Sequence, residues 1–136
     1  MTNLDGTKVL VVDDEAFTRK TIRAVLRAVG RFVVTEADDG DAALIMAEKL
    51  KPDVVLCDIT MPRLGGLQFV ELLRKHPEPR MRDIPVIILT LHAEKATVTA
   101  ASKLRINGYL IKPISPKQLS EQLRIVLATR RAIPAA

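Results

Sequence analysis

Tryptophan is absent from the 136 residues, tyrosine occurs once and phenylalanine three times, so aromatic residues make up only 3% of the chain. That leaves no stacking platform for single-stranded nucleic acid. The single cysteine, Cys57, excludes an internal disulfide, and its position inside an apolar run fits a reducing compartment, with the cytosol as the expectation. No apolar stretch approaches the roughly 20 residues that cross a bilayer. The opening MTNLDGTK lacks a basic segment followed by an apolar one, so neither export nor membrane insertion is expected. Internal repeats and low-complexity segments are also missing.

What is present suits one packed core. Apolar residues form 48% of the chain, enough for a single domain over residues 1–136 with its core over about residues 8–130. The net charge of +5 raises the question of nucleic acid, since clustered Lys and Arg release counterions from a polyanion. Here the basic residues are scattered over several helices, and no zinc or helix-turn-helix pattern accompanies them, which argues against a nucleic-acid partner.

Five short apolar runs alternate with longer segments of helical period: Val9 to Val12, Phe32 to Thr35, Val54 to Cys57, Val86 to Leu89 and Tyr109 to Ile111. Continuous β-branched runs belong to strands buried on both sides, so the alternation predicts an α/β fold, a parallel sheet with helices on both faces. In the first intervening segment Ile22, Val25, Leu26 and Val29 form an apolar stripe, with Arg19, Lys20, Arg23 and Arg27 on the other side and Gly30 as the stop. Further helices are expected from about Asp41 to Leu50, from about Gly66 to Lys75, more weakly from Ala93 to Leu104, and from Ser115-Pro116 onward with Ser115 as N-cap. His76 to Arg82, with two prolines and mixed charge, reads as a surface loop.

Ligands of open parallel sheets sit beyond the carboxyl ends of the strands. Strand one is followed there by Asp13 and Asp14, strand three by Asp58, strand four by Thr90 and strand five by Lys112. Each alone has a plain explanation as a helix cap, a turn residue or a solvated charge. Together they do not, because three crowded carboxylates repel one another unless a cation neutralises them. An all-oxygen set favours a hard ion, Mg²⁺ or Mn²⁺, which accepts a phosphate oxygen as a further ligand. Lys112 and the Thr90 hydroxyl can then hold two more phosphate oxygens, leaving an Asp58 oxygen to attack phosphorus.

The motifs VLVVDDE, Asp58 with Met61-Pro62 and Gly66 after it, IILT ending at Thr90, and GYLIKP resemble those of response-regulator receiver domains over about residues 8 to 130, in the same order. The resemblance implies a flavodoxin-like five-stranded sheet of order 2-1-3-4-5, with Asp58 as phosphoacceptor. It further implies Asp14 and Asp58 as direct metal ligands, Asp13 acting through water, and the Thr60 carbonyl completing the set. Thr90 and Tyr109 would be the switch pair, and Lys112 would precede a cis peptide to Pro113. The implied partners are a histidine kinase or histidine phosphotransfer protein and an unidentified downstream protein. The role is that of a phosphoacceptor that assists its own phosphorylation and dephosphorylation rather than a turnover enzyme.

Two positions depart from the family pattern. Gly65 stands where an Asp is common, which loosens that loop and removes a helix cap, and Leu91 stands where a small residue is usual, placing bulk beside the phosphoryl group. A small aspartyl-phosphate phosphatase of the haloacid-dehalogenase type is the alternative from another class. Such enzymes carry Asp-x-Asp after the first strand and a substrate cap, whereas this chain has adjacent Asp13-Asp14 and little length for a cap. A phosphorylation-independent pseudo-receiver is disfavoured because each acidic site residue is present. Cys57, His76 and the ADDG segment at 37 to 40 are assigned no function.

Overall fold

The computed structural model describes residues 4–59, 65–91 and 103–131, with side chains described through residue 128. In chain order the elements are β1 (Lys8–Val12), α1 (Ala16–Val29), β2 (Val33–Ala37), α2 (Gly40–Leu50), β3 (Val54–Asp58) and α3 (Gly66–Arg74). They continue with a single turn α4 (Pro79–Arg82), β4 (Val86–Thr90), β5 (Gly108–Ile111) and α5 (Pro116–Arg131). The strands form one parallel sheet of order β2-β1-β3-β4-β5, as the family resemblance implies.

Strand alternation sorts the apolar residues into two cores, one on each side of the sheet. Val9, Val11, Val54, Leu56, Ile87 and Leu89 meet Ile22 and Leu26 of α1 and Leu119, Leu123, Val126 and Leu127 of α5. Their neighbours Leu10, Val12, Val55, Cys57, Val86 and Ile88 meet Ala43 and Ala47 of α2 and Phe69, Val70 and Leu73 of α3. Each fully buried aliphatic side chain contributes roughly 1.5–3 kcal/mol, so the middle strands are the main source of stability.

Helix ends follow local chemistry. Asp39 caps α2, its carboxylate accepting from the Ala42 N–H at 2.7 Å, so the helix begins at Gly40 and the ADDG segment has a structural use. Ser115 caps α5, its hydroxyl accepting from the Gln118 N–H at 3.1 Å, as expected. Gly30 ends α1 with its N–H on the Leu26 carbonyl.

Three expectations change. The second strand runs through Ala37 rather than ending at Thr35, because Val11 pairs with Glu36 and Val12 with Ala37, and the charge of Glu36 is met by two arginines. Those arginines, Arg19 and Arg23, therefore turn toward β2 instead of standing in solvent opposite the apolar stripe. The stretch from His76 to Arg82 is not all loop: Pro79 starts a helical turn that buries Met81. Of the weak helix expected from Ala93 to Leu104, residues 93–102 lie outside the described residues.

Arg74, at the end of α3, ties the lower edge together. Its Nε donates to the Leu104 carbonyl (2.9 Å) and its Nη1 to the carbonyls of Arg82 (2.8 Å) and Ile84 (2.7 Å). Its Nη2 donates to the Arg105 carbonyl (3.2 Å) and to Asn107 Oδ1 (3.3 Å), which also accepts from the Val86 N–H. One guanidinium thus joins α3 to the segments entering β4 and β5. Burial, helped by the nearby Arg105 charge, draws it down to about 10, so it is still charged at neutral pH. Removing it strands several carbonyls at once. Arg74→Met is expected to lower the unfolding free energy by roughly 2–4 kcal/mol in urea titration, with Arg74→Lys recovering only part because an ammonium lacks the planar fork. A loss below about 1 kcal/mol would show that water replaces the guanidinium without penalty.

Candidate functional site

The sheet's hydrogen bonding continues one residue past Val12 of β1 and Ile111 of β5. The Asp13 N–H donates to the Ala37 carbonyl at 3.1 Å and the Lys112 N–H to the Thr90 carbonyl at 2.7 Å, so both residues stay in register at the carboxyl rim. By alternation Asp13, Asp58 and Lys112 share the side of Val11, Leu56 and Leu110, facing α1 and α5, while Thr90 shares that of Ile88.

At this rim Asp13, Asp14 and Asp58 each present a carboxylate oxygen within 4.8 Å of the others. Asp13 is buried and Asp14 exposed, and the Asp58 side chain is 13% exposed. Lys112 Nζ lies 3.2 Å from Asp13 Oδ2 and 3.7 Å from Asp58 Oδ1. One ammonium against three carboxylates leaves an excess of negative charge. At that separation and an effective dielectric near 20, Asp13 and Asp58 repel by roughly 3 kcal/mol. A hard divalent cation meets this deficit, and the donors are all oxygen, so the residues fit such an ion.

The other expected site residues fall as follows. Thr90 ends β4, half-buried, and Tyr109 pairs with Ile88, two residues before it, so Thr90 and Tyr109 share one side of adjacent strands. Tyr109 packs against the core on the α2/α3 side, and burial pushes its phenol up. The Lys112-Pro113 peptide is cis. Thr60 and His92 lie outside the described residues. Leu91, directly after Thr90, is 66% exposed.

Gly66 is required by close approach: a Cβ there would collide with the Asp58 carbonyl oxygen. Its N–H donates to the Ile59 carbonyl at 3.2 Å, which sets the start of α3 beneath the rim. Gly65 cannot supply a side-chain cap, yet its N–H donates to Gln68 Oε1 at 2.8 Å, so the loop retains a helix-start bond of the reverse kind.

Comparison with known proteins identifies the family. The family model described as "Response regulator receiver domain" matches residues 9–124. The chain is 42% identical over 120 residues to "Probable transcriptional regulator ycf27" of Guillardia theta, a match covering 88% of this chain and 45% of that protein. It is 37% identical over 126 residues to "Chemotaxis protein CheY1" of Helicobacter pylori, covering 90% of this chain and 98% of that one. Among solved structures, Vibrio cholerae chemotaxis protein CheY4 superposes with a TM-score of 0.81 at 31% identity, covering 90% of this chain and 99% of that chain. The chain spans about half the length of the ycf27 relatives. It belongs to the response regulator receiver domain family, the signalling modules of two-component systems. No helix among the described residues is long and apolar enough to cross a membrane.

One contact at the site escaped the sequence reading: Arg19 Nη1 donates to the Asp13 carbonyl at 2.7 Å. Its only signal is the spacing of Arg19 and Arg23, one helical turn apart on α1, opposite a lone acid on β2. Cys57, next to Asp58, is fully buried, with its Sγ 3.3 Å from the Asp58 carbonyl. Burial, then the charges of Asp58 and Asp13, push its thiol far above the usual range, so thiolate is scarce at any working pH. Native protein is therefore expected to resist iodoacetamide at pH 8 while denatured protein reacts at once. Rapid modification of the native form by intact mass would mean that Cys57 is exposed by opening of the core.

Proposed function

We propose that this receiver domain accepts a phosphoryl group on Asp58 from the phosphohistidine of a histidine kinase or histidine phosphotransfer protein, and that the acylphosphate changes its contact with a downstream protein. The observation that carries this reading is the convergence of three carboxylates and Lys112 Nζ on one rim of the sheet. An Asp58 oxygen forms the new bond to phosphorus as the donor's P–N bond breaks, and the departing imidazole takes up a proton. The Lys112 ammonium, which lies near both Asp13 and Asp58, would bind one phosphoryl oxygen, and the Thr90 hydroxyl would bind another. Asp14, Asp58 and the Thr60 carbonyl would hold Mg²⁺ or Mn²⁺, and Asp13 would support the ion through water. When bound, the cation neutralises the carboxylates and polarises the phosphoryl oxygens. The chain thereby assists its own phosphorylation and dephosphorylation without turning over a separate substrate.

Asp58→Asn is expected to abolish the adduct formed with acetyl phosphate or phosphoramidate. Asp14→Ala should weaken Mg²⁺ binding by at least about tenfold. Intact-mass analysis reads the first and Mg²⁺ titration the second, and an undiminished adduct in Asp58→Asn would place the acceptor elsewhere.

Signalling in this reading runs through Thr90 and Tyr109. Phosphoryl charge draws the Thr90 hydroxyl inward and leaves room for the aromatic ring, biasing two arrangements that already interconvert. Adding beryllofluoride with Mg²⁺ should shift the ring resonances of Tyr109, the one tyrosine in the chain, and Thr90→Ala should suppress that shift. Ring resonances unmoved in the wild type would rule out this pair as the switch.

A further inference from the structure

We propose that Arg19 is a positioning residue for the carboxylate cluster, holding the peptide between Asp13 and Asp14 in the one orientation that lets both side chains reach Asp58. This rests on the cation-site reading above.

Asp13 and Asp14 are adjacent, and consecutive side chains of an extended chain point to opposite sides. Both nevertheless contribute to one cluster, so the orientation of the peptide joining them decides whether the cluster forms. The carbonyl of that peptide belongs to Asp13, and Arg19 Nη1 donates to it at 2.7 Å. Arg19 is itself held, with Nε on Glu36 Oε1 at 2.9 Å, and Arg23 Nε holds the other oxygen of Glu36 at 2.6 Å. Arg19 is 17% exposed along its side chain, so water competes little for its bond to the Asp13 carbonyl.

The clamp is two-sided. The Asp13 N–H donates directly to the Ala37 carbonyl, and the Asp13 carbonyl is tied through Arg19 to Glu36. Two successive residues of β2 therefore fix both faces of Asp13. The Glu36 carboxyl is held below its ordinary range, chiefly by the Arg23 hydrogen bond and against the effect of burial, so the anchor stays charged at neutral pH. Asp13's own carboxylate is occupied by the Glu15 N–H and Lys112.

Arg23 supplies the control, because it binds Glu36 and the Val34 carbonyl but has no bond to Asp13 among the described residues. Mn²⁺ binding can be read from the free-ion signal in electron paramagnetic resonance, together with urea stability. Arg19→Met should weaken Mn²⁺ binding at least about tenfold, as loss of an outer partner does at metal sites. Arg23→Met, which loosens Glu36 but leaves the Arg19 bond to the Asp13 carbonyl, should weaken it several-fold less than Arg19→Met even where the stability loss is comparable, and Arg19→Lys, which restores one donor, should recover part of the affinity. Should Arg19→Met fail to fold, Arg19→Lys against Arg23→Lys makes the same comparison. Equal weakening in the Arg19 and Arg23 variants, or none in either, overturns the inference. Absence of Mn²⁺ binding in the wild type, or its persistence in Asp14→Ala, would instead overturn the cation-site reading.

Discussion

Mutual repulsion of carboxylates is the constraint that organises this molecule. Asp13, Asp14 and Asp58 stand within 4.8 Å of one another, and Asp13 is fully buried. Left to itself such a cluster would spread or draw in water, so rigid elements must keep it together. The parallel sheet does this by delivering Asp13 and Asp58 from neighbouring strands at the same height, and Lys112 from the far strand through one extra rung of the ladder. Gly66 completes the frame by letting α3 start against the Asp58 carbonyl, where any side chain would push the helix away.

The acids are held unequally. Asp13 has its backbone N–H, its carbonyl and both carboxylate oxygens engaged, by Ala37, Arg19, Glu15 and Lys112. Asp14 projects into solvent from the fixed peptide. A buried, saturated carboxylate suits a charge that sets the field of the site, and an exposed one suits a ligand that must shed water and take up a cation. The same division separates Cys57, whose burial and anionic neighbours keep it inert, from the adjacent Asp58, whose side chain retains an opening to solvent.

Much of this was legible in the residues. The five strands, two-sided burial and arrival of Asp13, Asp14, Asp58, Thr90 and Lys112 at one rim follow from apolar runs ending in polar residues, because side-chain periodicity is local. Long-range partnerships were not legible. Glu36 ended the second strand in the sequence reading because a charge usually marks a strand's limit, and only the approach of α1 provides the two guanidiniums that let the strand continue. Arg74 gave no signal, since its partners are mostly backbone carbonyls and any residue could carry them. Met81 was hidden among prolines and charges, where one buried residue makes no period.

The acidic rim also bears on stability. Charge crowding costs free energy in the folded state alone, since the unfolded chain separates Asp13 from Asp58 and solvates both. The two apolar cores must offset that cost, and they lie directly beneath it, with Val12 and Cys57 paired one residue below the two acids. An agent that binds only the folded arrangement and neutralises the rim removes the cost and stabilises the fold by mass action. Cation binding and phosphoryl acceptance, in the reading proposed, therefore act on a site held under electrostatic stress by hydrophobic burial. A small change of charge at the rim can then shift the balance between packed arrangements of neighbouring side chains, because the opposing terms are each several times larger than their difference.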